Sequence, residues 1–223
     1  QARERGFHSF HFSFSGGEPT AHTGFLEILD HYARNAAECN YQSVHMTTNL
    51  SAGKSWLKKF VAVTTPLNQR GVTASYHSEF TTVDAFAEKA LLLLNGGIHV
   101  TVNIVMLVEK FAQLWSDAKV LYDLGINVTL KPRSNESATG LVAGYSKEML
   151  NSMQNGFPLR DYTDAESPVM TERPTKFQFE LTDSKNQNWY LDQAERLNAF
   201  GFNKFKGWEC SAGYRSIIIR EPD

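Results

Sequence analysis

Two glycines, a carboxylate and a proline stand together at Gly16-Gly17-Glu18-Pro19, directly after the alternating run Phe10-His11-Phe12-Ser13-Phe14. Residue types in that order suit a small polar ligand held at a strand end. Glycine lacks a Cβ and lets a ligand approach bare backbone, Glu18 offers an acceptor, and Pro19 fixes the direction in which the chain leaves the strand. The same residues also make a tight strand-to-helix turn with no ligand at all. Polar groups recur at the ends of three later runs, at Thr48-Asn49, Ser75 to His77 and Lys131. Any one of them could simply cap the following helix, but repetition at four strand ends favours a shared rim that carries chemistry.

The elements that would position this rim alternate along the chain. A helix over 24–38 follows the first strand, then come a strand Ser43–Thr48 and a helical segment from Ser55. A third strand, Gly71–His77, precedes a helix from Thr82 to Asn95 closed by Gly96-Gly97. Ile98–Leu107 reads as the fourth strand, Phe111–Leu124 as a helix ended by Gly125, and Ile126–Lys131 as the fifth strand. The unit recurs about every thirty residues, the spacing of βαβ crossovers in a parallel sheet or barrel, so the expected class is α/β.

Composition narrows the function classes. The 223 residues are 42% hydrophobic and 21% charged, with a formal net charge of −2, values ordinary for a globular chain able to bury a sizeable core. Without a basic footprint, nucleic acid is unsupported as a partner. No apolar run reaches the ~18 residues of a membrane span, and Gln1 to Gly6 is not a signal peptide, so no membrane partner and a cytoplasmic location are expected. Cys39 and Cys210 are too few for a disulfide framework, and neither lies in a Cys-x-x-Cys pair. The absence of an initiator Met before Gln1, and the stop at Asp223 where a hairpin partner is due, lead us to expect a piece cut from a longer protein at both ends.

The Gly-Gly-Glu-Pro stretch and the order of the strands after it resemble the radical S-adenosylmethionine (SAM) superfamily. Phe10 to Pro19 would be strand two of that family's partial (β/α)6 barrel. Strands three to six would be His45–Asn49, Thr73–His77, Val100–Met106 and Val128–Pro132. The resemblance implies a partial barrel over 1–134, a connecting segment over 135–175 with a short helix around Lys147 to Met153, and a small α+β extension over 176–223. It also implies that Gly16 and Gly17 meet the amino group of SAM, Glu18 orients it, and Pro19 closes the motif. Thr48, Asn49 and Ser75 would add rim contacts, with Ser75 on the carboxylate or ribose. Asn103 and Lys131, on strands five and six, would lie beside the adenine. A reduced 4Fe-4S cluster would cleave SAM to methionine and a 5′-deoxyadenosyl radical that removes a substrate hydrogen, with an electron donor such as a flavodoxin or ferredoxin as partner. The family's three-cysteine cluster loop is not in these residues and would lie upstream of Gln1, so the chain by itself would be inactive. Cys39, near a helix end on the side away from the strand tips, is expected to be a small buried apolar residue.

Beyond the barrel, Lys176 to Thr182 and Asn188 to Leu191 alternate around Asp183-Ser-Lys-Asn186, the pattern of a hairpin before a short helix Asp192–Phe200. The stretch from Phe202 to Ile219 resembles the SPASM or Twitch extension of the same superfamily. There Cys210 and Gly213 would mark an auxiliary iron–sulfur cluster with Cys210 as one ligand. The substrate is open, a peptide being one class such extensions accompany, and His77, Glu79 and Lys131 could face it. Two other readings stay open at this point. Lys131 could be a Schiff-base nucleophile of an aldolase-type barrel, with Glu18 or His77 as acid or base, or the barrel could be non-catalytic and bind a nucleotide-like ligand or a partner protein.

Overall fold

Along Gln69–Tyr76 and His99–Met106 the buried residues fall at every second position. Val72, Ala74 and Tyr76 are buried while Thr73 and Ser75 are not; Val100, Val102, Ile104 and Met106 are buried while Thr101, Asn103 and Val105 are not. That period of two makes a strand with one apolar and one polar face. The computed structural model describes residues 9–135 and 140–158, together with the backbone of 179–182 and 188–191.

Five such strands, β1 (Ser9–Phe14), β2 (Tyr41–Thr48), β3 (Gln69–Tyr76), β4 (His99–Met106) and β5 (Asn127–Pro132), form one parallel sheet in chain order. The pairs Phe14 with Met46, Thr48 with Ala74, Ser75 with Asn103 and Val105 with Lys131 set its register. Between them run α1 (Phe25–Arg34), α2 (Lys54–Thr64), α3 (Val83–Asn95) and α4 (Phe111–Asp123). Parallel neighbours joined in sequence by right-handed crossovers carry every helix to the same side of the sheet. The helices accordingly pack each on the next, α1 on α2, α2 on α3 and α3 on α4. This is the expected α/β class, a five-stranded parallel sheet alternating with helices as in an open section of a β/α barrel.

The core is the layer between helices and apolar strand face. Leu29, Leu57, Phe60, Phe86, Leu93 and Leu121 from the helices meet Val44, Met46, Val100, Ile104 and Met106 from the strands, all fully buried. Aromatic rings extend the layer under the first two crossovers: Phe14 lies edge-on to Phe25 at 4.9 Å, Phe25 stacks on Trp56 at 6.1 Å, and Trp56 on Phe60 at 5.8 Å. Tyr32 adds a polar tie, because its buried hydroxyl donates to the carbonyls of both Phe10 (3.0 Å) and Ser43 (3.1 Å) and so joins β1 to β2 from the helix side. Burial pushes the Tyr32 phenol up to about 12, so it remains a donor at any physiological pH.

Several boundaries differ from expectation for local reasons. α1 stops at Arg34 rather than at 38, where the Asn35 side chain donates to the His31 carbonyl (2.7 Å) and a short 3-10 turn follows. α3 begins at the expected threonine, since the Thr82 hydroxyl accepts from Ala85 N (3.3 Å). The helices α3 and α4 end in the same turn, with Ile98 N on Leu93 O (3.0 Å) and Ile126 N on Leu121 O (3.2 Å).

The chain divides into two units, 1–162 and 163–223, the first taking in the five-stranded sheet and the short helix after it. Hydrogen bonds and aromatic packing hold that helix and its flanks to the first unit. The Tyr145 hydroxyl accepts from Arg133 N (2.7 Å) and donates to the Met106 carbonyl, α5 (Lys147–Asn155) lies against β5, and Phe157 packs on Trp115 at 5.0 Å and on Tyr122 at 5.1 Å. In the second unit β6 (Phe179–Thr182) and β7 (Asn188–Leu191) form the expected antiparallel hairpin. The expected helix 192–200 and the segment with Cys210 lie outside the described residues.

Phe60 is fully buried at the end of the aromatic stack, against Trp56. Phe60→Ala is expected to lower the unfolding free energy by about 3–5 kcal/mol, measured by urea titration, with the secondary structure retained in circular dichroism.

Candidate functional site

In a parallel sheet the C-terminal strand ends share one edge, and here that edge carries the polar residues singled out in the sequence. At the end of β1 the chain turns through Gly16 (φ +90°) and Gly17 (φ +54°), both in the left-handed region that residues with a Cβ rarely adopt. A Cβ built at either position would have no heavy atom within 4 Å. Backbone conformation therefore requires the glycines, and the space beside them is open.

Glu18 follows this turn and is the most heavily bonded side chain of the rim. Its Oε1 accepts from Thr20 N (3.1 Å), Thr20 Oγ1 (2.7 Å) and Thr48 Oγ1 (2.7 Å), and its Oε2 accepts from Asn49 N (2.7 Å). Partial burial pushes its pKa up, but the bonds from Asn49, Thr48 and Thr20 outweigh that effect and hold it below the ordinary glutamate value. The carboxylate is ionised at neutral pH and links the end of β1 to the end of β2. Oε1 is fully engaged by its three donors, whereas Oε2 takes one and keeps a lone pair for another. Pro19 opens the 3-10 turn Pro19–Ala21 that Glu18 caps.

The neighbouring rim residues divide by the parity of the strand. Thr48 was expected among the ligand contacts, but it is 2% exposed and faces the helix side in phase with Val44 and Met46. Its hydroxyl accepts from Leu50 N (3.0 Å) and donates to Glu18, so Thr48 orients the carboxylate rather than a ligand. Asn49 is exposed at the strand end, and its side chain accepts from Ser51 N (2.8 Å). Ser75 and Asn103 are half-buried register partners on the polar face, with Thr129 next to Asn103 on β5. Lys131 is exposed two residues further along β5, opposite the exposed Val105. Gly16 to Pro19, Thr48 and Asn49 are thus brought into one bonded group, while Ser75, Asn103 and Lys131 extend along the sheet from it.

Sequence reading missed three features of this region. Below the rim, on the polar face, His45 is hydrogen-bonded through Nδ1 to Ser13 Oγ (3.2 Å) and through Nε2 to Thr73 Oγ1 (2.9 Å), a chain across β1, β2 and β3. Burial, and then the nearby His11, lower the His45 pKa and keep the ring neutral. Beyond β3 a cavity of about 470 Å³ is lined by Tyr76, Glu79, Phe80, Gln113 and Asp117 among others, and the Tyr76 hydroxyl donates to Asp117 (3.0 Å). His77 and Glu79 are exposed in the loop that begins there. Leu50, in the loop after β2, has φ +55°. The alternation of β2 and β3 could have placed His45 and Thr73 on one face; nothing in the local sequence marks Leu50.

No group of three or more His, Cys, Asp or Glu able to hold a metal ion occurs among the described residues. Cys39 precedes the N-terminal end of β2, at the opposite end of the strand from the rim as expected, and is half-buried rather than buried.

Two acid-side effects separate by pH window. His45 has a folded-state pKa below the unfolded 6.5, so its neutral form is favoured and stability falls as the pH drops from about 6.5 through that lower value. Glu18 also has a depressed folded-state pKa, and its stabilisation is present above about 4.5 and lost as the pH falls through the folded value. Urea unfolding against pH should show the first loss removed in His45→Gln and the second in Glu18→Gln. At pH 7 Glu18→Gln is expected to cost about 1–2 kcal/mol, a value reduced for the partial exposure of the carboxylate.

A comparison of the chain with protein-family models and with curated proteins finds no match.

Proposed function

We propose that this chain is the SAM-binding part of a radical SAM enzyme, with the amino group of SAM received by the Gly16–Gly17 turn and Glu18. One observation carries the reading. Glu18 is kept anionic by four donated hydrogen bonds, yet Oε2 retains acceptor capacity beside two glycines with open space around them. An ammonium is the group such an acceptor favours, through a charge-assisted hydrogen bond. The polar groups further along the edge suit the carboxylate, sugar and purine that accompany this amine in SAM. Three strand spacings of about 4.8 Å separate β2 from β5, roughly 14 Å, so an elongated ligand can run from Glu18 past Ser75 and Asn103 to the end of β5.

In this reading Ser75 takes the carboxylate or ribose hydroxyls, Asn103 and the backbone near Lys131 flank the adenine, and Thr48 acts through Glu18. His77, Glu79 and the Lys131 ammonium stand exposed where a substrate would meet the bound cofactor. A four-iron cluster requires converging thiolates. The described residues supply no such set, and Cys39 lies at the wrong end of β2, so they do not fit the cluster and no step of SAM cleavage is assigned to them. Cys210, expected as a ligand of an auxiliary cluster, lies outside the described residues. The role of the rim residues is to bind and orient.

Isothermal titration of the full chain tests the proposal. SAM should bind, Glu18→Gln should weaken it about tenfold, equivalent to about 1.4 kcal/mol, and 5′-methylthioadenosine, which lacks the amino-acid end, should bind with the same affinity to both proteins. Absence of SAM binding, or equal SAM affinity in the variant, would overturn it.

A further inference from the structure

Glu18 is oriented by groups that are themselves held from outside the rim, and the chain of contacts leads to α3. Leu50 has the single positive φ of a non-glycine residue among the described residues, +55°, and its side chain is 2% exposed. For a residue with a bulky Cβ substituent this conformation is unfavourable and persists only where the surroundings impose it. Both peptide groups that flank the Leu50 Cα are pinned. Its N–H donates to Thr48 Oγ1 (3.0 Å), and its carbonyl accepts from the Lys89 ammonium (2.7 Å), which also reaches the Ser51 carbonyl (3.5 Å). Relaxing φ toward the extended region must break one of these bonds.

The consequence reaches Glu18 through a hydroxyl. Because Thr48 Oγ1 accepts from Leu50 N, its own proton is directed away from that bond and onto Glu18 Oε1 (2.7 Å). The adjacent Asn49 N–H, on the residue between Thr48 and Leu50, is aimed at Glu18 Oε2 (2.7 Å). We propose that Lys89 is a positioning residue for the ligand site: by holding Leu50 in its left-handed conformation it sets the Thr48 and Asn49 donors that fix the Glu18 carboxylate against the Gly16–Gly17 turn. Lys89 contacts no ligand in this arrangement. It joins α3 to the β2 loop, 39 residues earlier in the chain, and transmits the position of the helix to the rim.

The half-buried Lys89, bonded to backbone carbonyls, differs in this from two described lysines that pair with carboxylates. Lys54 pairs with Glu88 and Lys119 with Asp123, both on exposed surface, where such pairs contribute little. Lys119→Met is therefore a suitable control.

Two readouts on the full chain test the proposal, using Lys89→Met, which keeps the aliphatic stem and removes the donor, and Lys89→Arg, which restores one. In proton–nitrogen correlation spectra Lys89→Met should displace the amide signals of Asn49, Leu50, Gly16 and Gly17, while Lys89→Arg returns them towards wild type and Lys119→Met leaves them in place. By titration calorimetry Lys89→Met should bind SAM about tenfold more weakly and Lys89→Arg within about twofold of wild type, with the melting temperature little changed. The affinity arm rests on the SAM reading above; the amide arm does not. Unmoved Gly16, Gly17 and Asn49 amides in folded Lys89→Met would overturn the positioning role. Wild type failing to bind SAM while those amides move would overturn the SAM reading and support the positioning role.

Discussion

The handedness of the crossovers is the constraint on which the rest depends. Right-handed connections between successive parallel strands place α1 to α4 on one face of the sheet, and only one face can then be apolar. The strands answer with alternation: Val72, Ala74 and Tyr76 go to the helices, and Thr73 and Ser75 go to the other side. Because all five strands run the same way, their ends also fall on a common edge. The two requirements together produce a polar rim whose membership is decided by parity, and parity is why Thr48 and Asn49, adjacent in sequence, do different things. Thr48 lies in phase with the core and becomes a hydrogen-bonding support, while Asn49 lies one step beyond and is exposed.

Glu18 and His45 show how burial and partners together decide charge at such a rim. Both lose solvent on folding. Glu18 is met by two backbone N–H groups and two hydroxyls, all donors, and remains ionised. For His45 burial disfavours the charged ring and the field of His11 adds to it, so the ring, hydrogen-bonded to the Ser13 and Thr73 hydroxyls, stays neutral. The rim thus has an anionic end over β1 and β2 and a neutral polar wall beneath it. Lys131 lies on β5, three strands from β2, in solvent rather than paired with Glu18. Separating the two charges leaves the carboxylate able to take a cation from outside.

Strands, helices and the location of the rim were legible because they depend on local signals. Alternation, a threonine cap at Thr82 and the glycines after α3 and α4 each act within a few residues of the structure they determine. The remainder depends on contacts between distant residues. Lys89 meets Leu50, Tyr145 meets Met106 and Tyr76 meets Asp117, each across about forty residues of chain. No periodicity announces such pairs, and nothing local marks the left-handed Leu50. Thr48 is a different case. Its parity with Val44 and Met46 was readable, and only attention to its position as a rim residue hid the fact that it faces inward.

The two glycines are best understood through the space around them. A glycine can be required because a neighbouring atom leaves no room for a Cβ, or because φ is positive; at Gly16 and Gly17 the first reason fails and the second holds. Crowding would have shown that the turn serves packing alone. Openness, together with a carboxylate held by four hydrogen bonds on the adjacent residue, leaves free space beside a fixed negative charge. Support for that carboxylate comes from Thr48 at the end of β2 and from Asn49 in the loop after it, a loop that Lys89 ties in turn to α3.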